Sequence, residues 1–193
     1  MSTRSVRLHR VLRAPPAKLY RAFLEPGALS KWLPPYGFIC EVHQIDARVG
    51  GTFKMSFRNF SSGHAHSFGG EYLELVANEL IRYTDRFDDP NLPGVMQVSV
   101  SLKPVLCGCD ISIVQDGIPE VIPLEMCYLG WQESLAQLAT LVEPEIPGEH
   151  PYRNLRTERQ SVSTVHHSAL SGEPPDEGSV AATLEPLLWE RGS

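Results

Sequence analysis

Hydrophobic residues in this chain change period once, and no other pattern narrows the choice of fold as much. From Ser5 to Gln115, apart from two short helical stretches, they recur in brief runs with strand periodicity; from Met126 to Val142 they recur every three or four residues along a single stripe. Alternation marks a strand with one buried face, and the longer period marks an amphipathic helix. A series of half-buried strands followed by one long amphipathic helix can bury both apolar faces by packing the helix on the sheet. The expected class is α+β.

The clearest strand is Thr52 to Arg58, with Phe53, Met55 and Phe57 on one face and Thr52, Lys54, Ser56 and Arg58 on the other. Ile81, Tyr83 and Phe87 oppose Arg82, Thr84 and Arg86; Met96, Val98, Val100 and Leu102 oppose Gln97, Ser99 and Ser101; Ile111, Ile113 and Gln115 continue the pattern. Ser5 to Leu12 alternates less cleanly and stops at Ala14-Pro15-Pro16. Leu19, Tyr20, Phe23 and Leu24 then follow at helical spacing until Pro26-Gly27, and a second helical turn is expected from Ala28 to Trp32. After Pro34-Pro35-Tyr36-Gly37 come about six strands of a meander, separated by Gly50-Gly51, Ser61-Ser62-Gly63, Ala77-Asn78, Asp88 to Gly94 and Cys107-Gly108. On the terminal helix, Tyr128, Trp131, Leu135, Leu138 and Val142 form the stripe, with Gln132, Glu133 and Gln137 off it.

Periodicity ends near Gly148. From Glu149 to Ser193, Ser, Pro, Gly and charged residues mix without pattern, and Leu184, Leu187, Leu188 and Trp189 offer too little apolar area to offset the entropy of ordering the segment. One domain over residues 1–148 and a mostly disordered tail over 149–193 are expected. Removing the tail is expected to leave the fold intact.

Charge and composition exclude several partners. A net charge of -6 without a basic cluster argues against nucleic acid, whose affinity comes largely from Lys and Arg. No apolar run approaches the roughly 20 residues that span a bilayer. Arg4, Arg7, Arg10 and Arg13 precede no apolar signal segment, so a cytoplasmic location is expected. Cys40, Cys107, Cys109 and Cys127 lie in or beside apolar runs and are read as reduced core residues.

Several motifs occur in an order that resembles a known family. Lys31-Trp32-Leu33-Pro34-Pro35 looks like its Trp-Pro segment and Asp46-Ala47-Arg48-Val49-Gly50-Gly51-Thr52-Phe53 like its Asp-x-Arg-x-Gly-Gly turn. Gly70 to Glu74 with Leu80 to Thr84 is similar to its central hairpin, and Gly130-Trp131 with Leu135 and Leu138 to its terminal helix. Together they resemble the activators of the 90 kDa heat-shock chaperone ATPase, in the START-like (SRPBCC, Bet v allergen-like) superfamily, over Val6 to about Glu145. Gly108-Cys109-Asp110, where the family usually has Gly-Thr, and the tail depart from the pattern. The resemblance implies a helix-grip fold: two short helices after the first strand, and a curved antiparallel sheet of about seven strands wrapped around the C-terminal helix. Gly50-Gly51 would supply the backbone freedom of the turn, with Asp46 and Arg48 paired across it.

It also implies a cavity between sheet and helix, with Phe53, Met55, Phe57, Tyr83, Phe87, Met96, Val98, Trp131 and Leu135 as inward candidates. Either these residues bound a space for an apolar or aromatic ligand, or they fill the interior completely. Gln115, Tyr72 and Tyr83 would add a few orienting polar atoms, or bond to backbone or water. Trp131 is read as the helix's largest core contact, with Trp131→Ala expected to cost about 3–5 kcal/mol.

No catalytic, metal or cofactor site is expected. His64 and His66 would share a strand face but have no third ligand fixed by sequence, and are read as an exposed hairpin. Cys107-x-Cys109 is too closely spaced for a zinc knuckle, His166-His167 lies in the tail, and no nucleophile elbow occurs. Glu71, Asp85 and Glu125 are assigned surface or turn roles, because general acid or base work at neutral pH would require burial.

The leading functional reading is therefore a binding module for a hydrophobic or aromatic small molecule, lipid-like or polyketide-like. The resemblance also implies chaperone ATPase regulation, ranked second because only Met1 to Ser5 precede the first strand, whereas that activity also uses a separate N-terminal domain. A cyclase- or aromatase-like enzyme using the same cavity comes third. Oligomeric state is open.

Overall fold

The computed structural model describes residues 4–144; the tail expected over 149–193 lies outside the described residues. The first strand, β1 (Ser5–Leu12), leads into α1 (Pro16–Ala22) and α2 (Pro26–Trp32), and then six strands follow: β2 (Phe38–Ile45), β3 (Thr52–Asn59), β4 (Ala65–Val76), β5 (Leu80–Phe87), β6 (Met96–Val105) and β7 (Gly108–Asp116). The long helix α3 (Leu124–Val142) closes the series.

The seven strands form one antiparallel sheet in the order β1-β7-β6-β5-β4-β3-β2. Six of them are a meander, and β1 returns to pair beside the last, with Ser5 opposite Asp116 and Leu12 opposite Cys109. This is the α+β helix-grip architecture. Register shifts interrupt the ladder between Val42 and Gln44 and between Tyr72 and Glu74, and such bulges bend the strands that carry them.

Glycine is required where backbones approach most closely. A Cβ on Gly70 would lie 1.7 Å from the Thr84 carbonyl oxygen on β5, so β4 can hold its curve there only without a side chain. At the β2–β3 turn Gly50 has φ +75°, and Arg48 Nε donates to Asp46 Oδ2 at 2.8 Å. The Gly50 N–H donates to the Tyr72 carbonyl and the Tyr72 N–H to the Gly51 carbonyl, tying the turn to β4.

Helix limits depart from the periodicity in two places. The first helix ends ahead of Pro26 as expected, but Pro26 itself starts α2, two residues before the expected Ala28: its fixed φ suits the first turn and its missing N–H costs nothing there. Trp32 closes α2 fully buried, its ring 4.6 Å from that of Phe23 and its Nε1 donating to the Ala22 carbonyl at 2.9 Å. The indole thus satisfies a carbonyl at the end of α1.

The second departure concerns α3, which starts two residues earlier than the stripe suggested. Its buried residues, Ser134, Leu135, Leu138, Ala139 and Val142, all belong to the C-terminal half. Tyr128, at the edge of the stripe, is exposed, as are Met126 and Leu129. The N-terminal half lies over an open space in the interior, described below, so it has no complete layer of side chains to bury against.

The segment between α2 and β2 fastens α3. Ser134 Oγ is 2.7 Å from the Leu33 carbonyl oxygen, Gln137 Nε2 donates to the Pro34 carbonyl, and the Tyr36 N–H donates to Glu133 Oε2 at 2.9 Å. Buried Val6, Leu8, Leu12, Val98, Val100, Leu102, Ile111 and Ile113 make the solid part of the core. Three of the four cysteines are buried or partly so; Cys107, read as a core residue, is exposed in the β6–β7 turn.

Candidate ligand cavity

Alternation along β3, β4 and β5 brings Phe53, Met55, Phe57, Phe68, Tyr72, Tyr83 and Phe87 to the concave face of the sheet, where they bound a cavity of about 290 Å³. Met96 and Gln115 add the floor from β6 and β7, and Met126, Cys127, Gly130, Trp131 and Ser134 the wall from α3. Phe23, Leu29, Leu33, Pro35 and Phe38 complete the boundary on the α1–α2 side. The volume is near the lower end of the roughly 300–1,000 Å³ range of small-molecule sites.

Of the eleven residues named from sequence, Phe53, Met55, Phe57, Tyr72, Tyr83, Phe87, Met96, Gln115 and Trp131 line this space. Val98 and Leu135 do not; at 1% and 3% exposure they belong to the packed interior. Trp131 is a partly buried wall of the cavity, packed against the edge of the core rather than inside it.

The aromatic rings brace one another edge to face. Phe53 and Tyr83 have centroids 5.5 Å apart at 86°, and Phe57 and Phe68 4.8 Å apart at 72°. Such contacts hold the walls in place without filling the space between them. His66, expected on an exposed hairpin, joins this set: its ring lies 5.8 Å from Phe57 and 6.0 Å from Phe87, and burial lowers its pKa. The neutral imidazole is favoured there.

Gln115 organises the polar end. Trp131 Nε1 donates to its Oε1 at 2.7 Å, the Cys127 thiol donates to the same oxygen at 3.3 Å, and its Nε2 donates to Met96 Sδ at 3.1 Å. These partners are side chains, so the amide couples β6, β7 and α3 across the cavity. Burial pushes the Cys127 thiol up to about 11, with the Asp85 carboxyl adding to the effect. The same two causes hold Tyr83 well above the ordinary phenol value. These thiol and phenol groups are neutral hydrogen-bonding groups at physiological pH.

Asp85 overturns its assignment to a surface or turn role. It lies on the cavity side of β5, in register with Met96, and its Oδ1 is buried without a hydrogen-bond partner. Loss of water pushes its carboxyl up to about 7, against the opposing pull of the Arg86 N–H and the Lys54 charge. The signal was present in the alternation: residue 85 shares the face of Ile81, Tyr83 and Phe87. Among the described residues, no lysine or arginine lines the cavity, and no three His, Cys, Asp or Glu side chains are grouped as a metal requires. No helix among them is long and apolar enough to cross a membrane.

Known structures share the fold. Protein CV1439 from Chromobacterium violaceum is 64% identical, with a TM-score of 0.73, over 74% of this chain and 99% of its own. Protein NE0264 from Nitrosomonas europaea is 25% identical at TM-score 0.59, over 71% of this chain and 92% of its own. A protein from Rhodobacter sphaeroides, 17% identical at TM-score 0.63 over 71% of this chain and 90% of its own, shares the fold. No curated protein matches the sequence. Residues 13–143 match the family described as Activator of Hsp90 ATPase homolog 1-like protein, and with β2 to α3 inside that span the chain belongs to this family, on the START-like fold.

Proposed function

We propose that the domain is a binding module for a hydrophobic or aromatic small molecule, of lipid-like or polyketide-like character, held between the sheet and α3. The observation that carries this reading is the cavity of about 290 Å³ with aromatic and aliphatic walls and a few convergent polar groups around Gln115. Apolar walls supply affinity through desolvation, and sparse polar groups set orientation. The family's description favours a second reading, regulation of the chaperone ATPase, which an ATPase assay with the 90 kDa chaperone decides.

Calorimetric titration with a panel of aryl and alkyl ligands tests the first. Gly130 lines the cavity, and a Cβ placed on it meets nothing within 4 Å. Gly130→Leu should therefore narrow the space while keeping the fold. The expected result is saturable binding to the wild type, weakened about tenfold or more in Gly130→Leu at an unchanged or higher melting temperature. Absence of saturable binding across the panel, or equal binding by the variant, would contradict it.

A further inference from the structure

The polar end of the cavity contains one group whose needs the protein does not meet. Asp85 Oδ1 is cut off from solvent and has no hydrogen-bond partner, whereas Gln115 is engaged through both its oxygen and its nitrogen. The Arg86 N–H and the Lys54 charge offset part of the carboxyl's lost hydration, but a buried oxygen left without a donor is still costly. Groups of this kind call for a role outside the fold's own hydrogen bonding.

The neighbours specify what would satisfy it. Tyr83 and Cys127 lie close enough for the Asp85 charge to act on both, so the carboxyl is near the β5 side of the cavity and the N-terminal half of α3. Phe53, Phe87 and Trp131 line the same space. Aromatic faces attract a cation, and a carboxylate completes the match by supplying the opposite charge. An anionic ligand finds no lysine or arginine on the described walls.

We infer that the cavity selects an apolar or aromatic molecule carrying a protonated amine, with the ammonium group on Asp85 and the apolar body among the aromatic walls. This rests on the proposed binding function and names the ligand class for the same site. Burial holds the carboxyl near its midpoint at neutral pH. An arriving ammonium favours the charged form, so binding draws Asp85 into its carboxylate state.

The test is a matched series with one phenylbutyl body and three head groups: 4-phenylbutylamine, 4-phenylbutanol and 4-phenylbutanoate, titrated calorimetrically at pH 7.5 into wild type and Asp85→Asn. The amine should bind tighter than the alcohol by about tenfold, and the carboxylate weakest. In Asp85→Asn the amine's advantage over the alcohol should vanish while the alcohol's own affinity is kept, which shows that the cavity is intact. Alcohol binding as tight as amine binding in the wild type, or an unchanged order in Asp85→Asn, would overturn the ammonium assignment and leave the hydrophobic binding function standing. Binding of none of the three would overturn both.

Discussion

Carboxyl groups enclosed by aromatic side chains affect stability before they affect any ligand. Folded Asp85 keeps its proton up to about pH 7, whereas an unfolded aspartate releases it near pH 4. Between those values the folded state holds more protons, so stability falls as pH rises from about 4 to about 7 and is level above that window. His66 and Tyr72 from β4, Tyr83 from β5, Cys127 from α3 and the nearby Lys54 from β3 are the other titratable or charged groups of the cavity and its edge. Both tyrosines and the cysteine are neutral throughout this window, and His66 titrates below its ordinary value. Asp85→Asn should therefore gain on the order of 2–4 kcal/mol over wild type at pH 8 and almost nothing at pH 4, measured by urea unfolding at both pH values. An equal effect at the two pH values would show that Asp85 is not buried as described. Its place on the cavity face could be read from the alternation of β5. What the sequence did not reveal was that this face borders open space rather than solvent or packed side chains, and that property decides whether an acid there is costly.

Helix α3 differs along its length, and the two large indoles of the domain separate the consequences. Trp32 is fully buried and bonded to Ala22, whereas Trp131 is partly buried beside the cavity. Trp32→Ala removes close-packed contacts and should cost about 3–5 kcal/mol. Trp131→Ala enlarges an existing space and should cost less, about 1–3 kcal/mol, part of it from exposing Gln115 Oε1. Chemical denaturation of the two variants checks the order; a larger loss for Trp131→Ala would return that residue to the core. Both helix limits and this asymmetry escaped the periodicity for physical reasons. A proline ends one helix or begins the next depending on where the chain folds back, and a stripe of apolar residues looks the same above a cavity as above a packed layer. By contrast, β3, β5, β6 and β7 were legible because apolar side chains alternate along each of them, and Gly50-Gly51 was legible because few residues tolerate that turn.

At the level of the whole molecule, curvature produces the site. The bulges at Val42/Gln44 and Tyr72/Glu74, with Gly70 pressed against Thr84, bend the sheet, and the bonds from Ser134, Gln137 and Glu133 hold α3 across its concave side. The C-terminal half of α3 packs down while the N-terminal half spans the gap, which leaves the cavity between β5 and α3. Membership of the activator-like family explains the frame, and under the proposed binding function the aromatic walls, Gln115 and Asp85 would set its chemical preference. The most direct test is a crystal structure of the protein grown with saturating 4-phenylbutylamine. Ligand density inside the cavity, with the ring among Phe57, Phe87 and Trp131 and the nitrogen within hydrogen-bond distance of Asp85, is the predicted result. Collapse of Trp131 and the phenylalanines into the space, or ligand bound only on the outer surface, would contradict it.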